Sequence, residues 1–360
     1  VCVCVCVCVF VSEEEILTLK KNTHAFGVSL VAEVEKCGLK TASSGSRKKM
    51  KRRNNRGVTE TYFEGKHLSL SDLKKEKPNI QNGYLYKNNI PAYPESVEFH
   101  VQKVSHVTGE QGLRGIFLNS GFRQPSELVA GDQHHFLWWD LSVTSDDRTS
   151  AEECFLTSLF PHRSAAQIRN QSPVLEHFTS SKAFQEESSY GNFRFTFSFR
   201  QLLWHYGKQF CGGQSPVLRV FETVLYRREI LYKILVHPHD IHLYDHYPRL
   251  PGQEDGVCGY HDGALWWRCQ APSETYKLKL EVNKLNCSVS THREEYYVWD
   301  HVCVAFHMEP GWVLHLDRNK LLKSVNACET SQPCLLRAPE TPLSLNEAEN
   351  VLANLKASMV

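Results

Sequence analysis

Between Ser96 and Pro238 the apolar positions follow two rhythms. VEFHVQKVSHVT and HHFLWWDLSV read as strands, and FRFTFSF alternates Phe with polar residues at every second position, which predicts a half-buried strand. GEQGLRGIFLNS instead places Leu113, Ile116 and Phe117 three to four apart, which predicts a helix over 109–120 closed by Gly121. RTSAEECFLTSLF predicts a second helix, capped by Thr149 or Ser150, with Glu152 and Glu153 in its first turn and Pro161 as its stop. SAAQIRNQSPVLEHFTSSKAF is a further helical region, and RQLLWHYG predicts a helix ending at Gly207. Two strands are expected around 217–225 and 229–236.

After Pro238 strand-like runs dominate: GALWWRCQ, ETYKLKLEV, EEYYVWDHVCVAFHM and GWVLHLDRN. The chain closes on an expected helix capped by Ser344, with Leu345, Ala348, Val351, Leu352 and Leu355 at helical spacing. FLWWD and ALWWR echo each other only weakly, and no convincing repeat emerges.

The first 95 residues read differently. VCVCVCVCVF is what a TG dinucleotide repeat encodes in one frame, so residues 1–11 are expected to be a repeat-derived or truncated start outside the fold; a signal-peptide core is the rival reading. Residues 12–40 predict amphipathic helix, with Ser12 and Glu15 in a capping-box spacing. Residues 41–95 read as a basic and polar linker, with seven basic residues between Arg47 and Arg56. That run is also a candidate nuclear-import or nucleic-acid patch. The expected organisation is therefore 1–11, 12–40, a linker 41–95, a mixed domain 96–238, a β-rich aromatic domain 239–330, and a C-terminal linker and helix 331–360.

Composition narrows the classes. The 41 Lys+Arg and 40 Asp+Glu nearly cancel, so the molecule as a whole is not built for nucleic acid. No apolar run reaches the length of a membrane-spanning helix, so no membrane association is expected. Of 13 cysteines, four lie in the opening repeat and the other nine are scattered without metal-binding spacing. A reduced, intracellular protein, cytoplasmic or nuclear, is the simpler expectation.

One stretch carries more information. VSHVTGEQGLRGIFLNSGFRQP runs from a strand ending in His-x-Thr, through a helix, to a Gly-Phe turn. It resembles the start of the ADP-ribosyltransferase fold, with His106, Thr108, Ile116, Leu118, Gly121 and Phe122 at the matching positions and Val107 where the family usually has Gly. The resemblance covers roughly 98–237. It implies an α+β protein with a split β-sheet core, followed here by the second, β-rich domain.

The resemblance also implies NAD as the substrate-like cofactor and a protein or nucleic-acid acceptor. In such a site His106, Thr108, Trp139 and Ser142 would hold NAD, with Trp138 an alternative to Trp139, though Trp lacks the phenol hydroxyl the family usually supplies. Glu229 would be the catalytic carboxylate, stabilising positive charge on the ribose as nicotinamide leaves. Glu222 is the alternative carboxylate, and Glu229 could instead pair with Arg227 or Arg228. The enzyme reading is therefore an NAD-dependent ADP-ribosyltransferase. The alternative is a catalytically inactive scaffold that binds through its aromatic strands.

Other chemistry is weaker. HPHDIHLYDHYP gathers His237, His239, His242 and His246 with Asp240 and Asp245, and H-x-H on a strand would put two rings on one face. Its prolines and turn residues favour an irregular connection, so no metal is expected. Cys211 in FCGGQS reads as part of a turn rather than a nucleophile. No phosphate-binding glycine motif follows a strand.

Overall fold

The computed structural model describes residues 49–53, 59–76, 97–124, 135–175, 183–184, 187–188, 190–226, 229–250, 256–269, 278–293, 299–330 and 342–358. Lys48–Val360 is one compact unit. The opening repeat and the helices expected over 12–40 lie outside the described residues.

The strands are β1 (Lys49–Arg53), β2 (Thr59–Glu64), β3 (Val97–Val101), β4 (Lys103–Thr108), β5 (Gly121–Phe122), β6 (Phe136–Leu141), β7 (Phe193–Ser198), β8 (Val217–Tyr226), β9 (Glu229–His237), β10 (Cys258–His261), β11 (Ala264–Cys269), β12 (Leu278–Asn283), β13 (Ser288–Arg293), β14 (Trp299–His307), β15 (Leu314–His315) and β16 (Val325–Ala327). The helices are α1 (Leu70–Lys75), α2 (Glu110–Leu118), α3 (Ser145–Leu159), α4 (Ala165–Arg169), α5 (Phe199–Phe210), α6 (Arg318–Ser324) and α7 (Leu345–Ala357).

Helix and strand are thus mixed, around a nine-stranded sheet ordered β1-β2-β8-β9-β14-β6-β4-β7-β16. Its pairs are antiparallel except β9 with β14, which run parallel. A smaller sheet, β10-β11-β3, packs with it.

This topology corrects the expected domain boundaries. β14, from the stretch expected to be a separate β-rich domain, lies between β9 and β6. β11, from the same stretch, pairs with β3. The stretches 96–238 and 239–330 therefore share sheets. The expected linker is corrected too, because β1 and β2 extend the large sheet beyond β8.

The single strand expected over 97–108 is two. The chain breaks at Gln102, whose carbonyl accepts from the Phe199 amide at 2.8 Å. β3 then joins the small sheet and β4 the large one. Two helix ends also move. α3 begins five residues before the expected cap, where Thr144 and Asp147 form a reciprocal capping box. α5 runs through Gly207, and Gly121 is an extended strand residue pressed against the Leu314 carbonyl, while Ser120 takes the left-handed turn at φ 51°.

One face of the large sheet is almost wholly apolar. Ile230, Tyr232, Ile234 and Val236 of β9 align with Val302, Val304 and Phe306 of β14, Trp139 and Leu137 of β6, and Phe195 and Phe197 of β7. Alternation along each strand sends the intervening residues to the other face. There a small apolar cluster of Phe136, Phe221, Leu235, Tyr244, Tyr247 and Ala305 lies under the connection after Pro238. Next to it lie the buried Glu222 and the partly buried Lys233, reached by Arg52 from the edge.

Candidate functional site

His106 lies in β4, whose register places Val104 opposite Leu141 and Ser105 opposite Asp140. One residue on, its ring meets Trp139 at 5.4 Å and Phe122 at 5.4 Å between centroids. Phe195 stands opposite it on β7. Nδ1 of His106 lies 2.9 Å from the Trp138 carbonyl oxygen. A carbonyl can only accept, so Nδ1 carries the proton and the neutral ring keeps its lone pair on Nε2. Burial lowers the His106 pKa, against the pull of that carbonyl bond and of Asp140.

Thr108 ends the same strand, two residues on and therefore on the same face. Its hydroxyl packs against Gly112, where a Cβ would meet Oγ1 at 1.9 Å. Trp139 is buried on that face among Phe122, Phe197 and Phe306. Its Nε1 has no hydrogen-bond partner among the described residues. Ser142 follows β6, and its amide donates to the Lys103 carbonyl at 3.0 Å. Three of the four expected NAD-holding residues therefore share a face, with Ser142 at the end of the neighbouring strand.

Glu229 is elsewhere. The row through His106 and Trp139 continues to Val304 and then to Ile234. Glu229 pairs with Trp299, five positions before Ile234 on β9. At about 3.3 Å per residue and about 4.8 Å per strand step, it is roughly 22 Å from His106. Five is odd, so its side chain leaves the opposite face. There its Oε1 lies 3.1 Å from Nε2 of His301, both side chains buried. The sheet therefore does not bring His106 and Glu229 to one crevice, which corrects their expected convergence.

Glu222, the alternative carboxylate, also leaves the opposite face. Its Oε1 accepts from Lys233 Nζ at 2.8 Å, and its two oxygens take a forked pair from Arg52 at 2.5 and 2.9 Å. Arg52 also donates to Glu60 at 2.6 Å. Burial alone would raise the Glu222 carboxyl, but Lys233 and Arg52 hold it below the usual value. The Lys233 ammonium also lies 4.8 Å over the Trp138 ring. Trp138 and Trp139 thus face opposite sides, as neighbours on a strand must. Part of the basic run is spent on this internal pairing.

The candidate metal cluster is dispersed. Nδ1 of His237 donates to the Pro238 carbonyl at 2.7 Å, and its Nε2 accepts from Arg219 Nε at 2.8 Å. His239 meets the Ser215 carbonyl, His242 pairs with Asp245, and His246 packs on Tyr247. Among the described residues, no group of His, Cys, Asp and Glu could hold a metal ion. Cys154, Cys211, Cys287 and Cys328 are free thiols, and burial, then Asp240, pushes the Cys211 thiol up to about 11. Among the described residues, no helix is long and apolar enough to cross a membrane.

Sequence periodicity missed two features. The Arg52–Glu222–Lys233 network joins β1, β8 and β9, an association no local pattern encodes. Trp204 is the other: Phe199, Leu202, Leu203 and Tyr206 mark the buried side of α5, and an indole at 204 falls outside it. That mismatch was a usable signal. No protein-family model, curated protein or solved structure matches the chain.

Proposed function

We propose that the chain is a binding scaffold, and that it does not transfer ADP-ribose through His106 and Glu229. The observation that supports this reading is the placement of the two groups on opposite faces of one sheet. A carboxylate that stabilises an oxocarbenium-like ribose must lie within contact distance of it. A group roughly 22 Å from the expected NAD-holding histidine is out of reach. The free thiols Cys154, Cys211, Cys287 and Cys328 suit a reducing compartment, the cytoplasm or nucleus.

The test incubates the full chain with radiolabelled NAD beside its Glu229→Gln variant. The expected result is no label that depends on Glu229. Label in the parent that disappears in the variant would overturn the reading.

A second reading keeps the family resemblance as an NAD-binding site without Glu229. It is favoured by the shared face of His106, Thr108 and Trp139 and by the buried, unpartnered Trp139 Nε1. On that reading NAD raises the melting temperature of the parent and not of Trp139→Phe. No shift in the parent would remove it.

A further inference from the structure

The outward side of α5 carries Arg200, Trp204 and Lys208 at successive i, i+4 positions. That spacing stacks them on one stripe, about 6 Å apart along the helix axis. Trp204 is 57% exposed, the most open tryptophan among the described large hydrophobics. Lys208 Nζ lies 5.2 Å from its ring centroid. His205 meets the indole edge-on, with centroids 4.8 Å apart.

A second helix widens the patch. Lys320 of α6 donates from Nζ to Nε2 of His205 at 3.2 Å, and Lys323 follows three residues on, exposed on the same side. Partial burial and then Lys320 lower the His205 pKa, so the ring is neutral and accepts that bond. Two carboxylates border the patch. Asp262 pairs with His261 in the turn whose Gly263 abuts Arg200, and Asp317 accepts the Asn319 and Lys320 amides as the cap of α6. Neither lies within ion-pair distance of Arg200, Lys208, Lys320 or Lys323.

We infer that this face of α5 and α6 docks single-stranded nucleic acid, with a base stacked on Trp204 and phosphates on the flanking cations. The inference rests on the binding reading above and names its partner. Charge complementarity selects a polyanion, because four cations surround a site in a chain whose net charge is only +1. The exposed indole selects among polyanions. A base supplies a flat π-face for it, and base–aromatic stacking combined with a basic track is how strands are held without sequence preference. An acidic peptide would satisfy the cations and leave the indole without a planar partner. Lys208 is free to leave the ring face for a phosphate, since an exposed cation–π contact is weak.

The test measures fluorescence anisotropy of a labelled oligothymidylate of about 20 nucleotides. The full chain is titrated in at about 50 mM salt and at higher salt. The parent is expected to bind, more weakly as salt rises. Trp204→Ala is expected to weaken binding about tenfold or more, and Trp204→Phe to keep most of it. Lys208→Gln with Lys320→Gln is expected to flatten the salt dependence by about 1.4 in log–log slope. Absence of binding, equal affinity of Trp204→Ala, or equal competition by polyglutamate would each overturn the inference, the last by assigning the face to an acidic peptide. None of these outcomes creates Glu229-dependent labelling by NAD, so failure here and failure of the binding reading are distinguishable.

Discussion

Lys233 donates to Glu222 at 2.8 Å across the β8–β9 pair, where the two residues stand directly in register. Glu222 is buried and Lys233 partly so, and Arg52 closes the network from the sheet edge. The alignment makes the pair depend on the sheet and the sheet edge depend on the pair.

Removing one partner leaves a buried charge short of compensation. Lys233→Met is expected to destabilise by about 3 kcal/mol, since Arg52 still partly satisfies the carboxylate. Adding Glu222→Met should recover much of the loss. Urea denaturation of the single and double variants checks both. The pH signs differ for the two partners. The lowered Glu222 pKa adds stability present above the unfolded carboxyl value and lost as pH falls through the folded one. For Lys233, burial would lower the pKa but Glu222 raises it, so its stability is complete below the unfolded value and lost as pH rises through the folded one.

His237 should set an acid limit. Its Nε2 accepts from Arg219, which also holds Asp245 and the Tyr247 carbonyl. Protonation would set two donors against each other. Burial, opposed by the Pro238 carbonyl, and the Arg219 charge lower its pKa to about 4. An unfolded histidine titrates near 6.5, so the unfolded chain binds more protons between about 6.5 and 4. Stability is full above that window, falls as pH drops through it, and levels below; the loss is about 3 kcal/mol. His237→Gln should remove this part of the acid slope. An unchanged difference in urea midpoint between pH 7 and pH 4.5 would count against it.

β6, β8 and β9 match their expected bounds closely although both faces of β8 and β9 are largely buried, and β7 was legible from its apolar–polar alternation. β1 and β2 were not, because the face they bury is charged. Glu60 and Arg52 look like solvent residues until Glu222 and Lys233 arrive from far along the chain. Gln102 hid the break between β3 and β4, since a polar residue there fits unbroken alternation. The insertion of β14 between β9 and β6 is a nonlocal pairing that no window of residues contains. The same gap explains the candidate site. Local letters placed His106 and Glu229 each on a strand, but only the register counts the five positions and three strand steps between them.

Two helical glycines should respond to alanine with opposite signs. At Gly207 a Cβ would lie 2.3 Å from the Gln214 carbonyl oxygen, a backbone atom that cannot swing aside. Gly207→Ala is expected to cost about 1–3 kcal/mol. At Gly115, inside α2, a Cβ meets nothing within 4 Å. Gly115→Ala is expected to stabilise by about 0.8–1 kcal/mol through helix propensity. Thermal melts of the two variants check the contrast.

His106 is expected to behave as a structural residue. Replacing it by leucine keeps the contacts to Phe122 and Trp139 but leaves the Trp138 carbonyl without its Nδ1 donor. Losing that part-buried hydrogen bond is expected to cost about 0.5–1.5 kcal/mol. Its folded pKa is lowered chiefly by burial, so the parent also loses stability as pH falls below the unfolded histidine value. His106→Leu should therefore be less stable at neutral pH and less sensitive to mild acid. The oligonucleotide affinity assigned to Trp204 should not change, because that indole lies on the outward side of α5 and the half-buried His106 lies on β4, packed on Phe122 and Trp139. A variant as stable as the parent would show that the carbonyl bond contributes nothing. One with altered nucleic-acid binding at unchanged stability would make His106 part of the recognition surface.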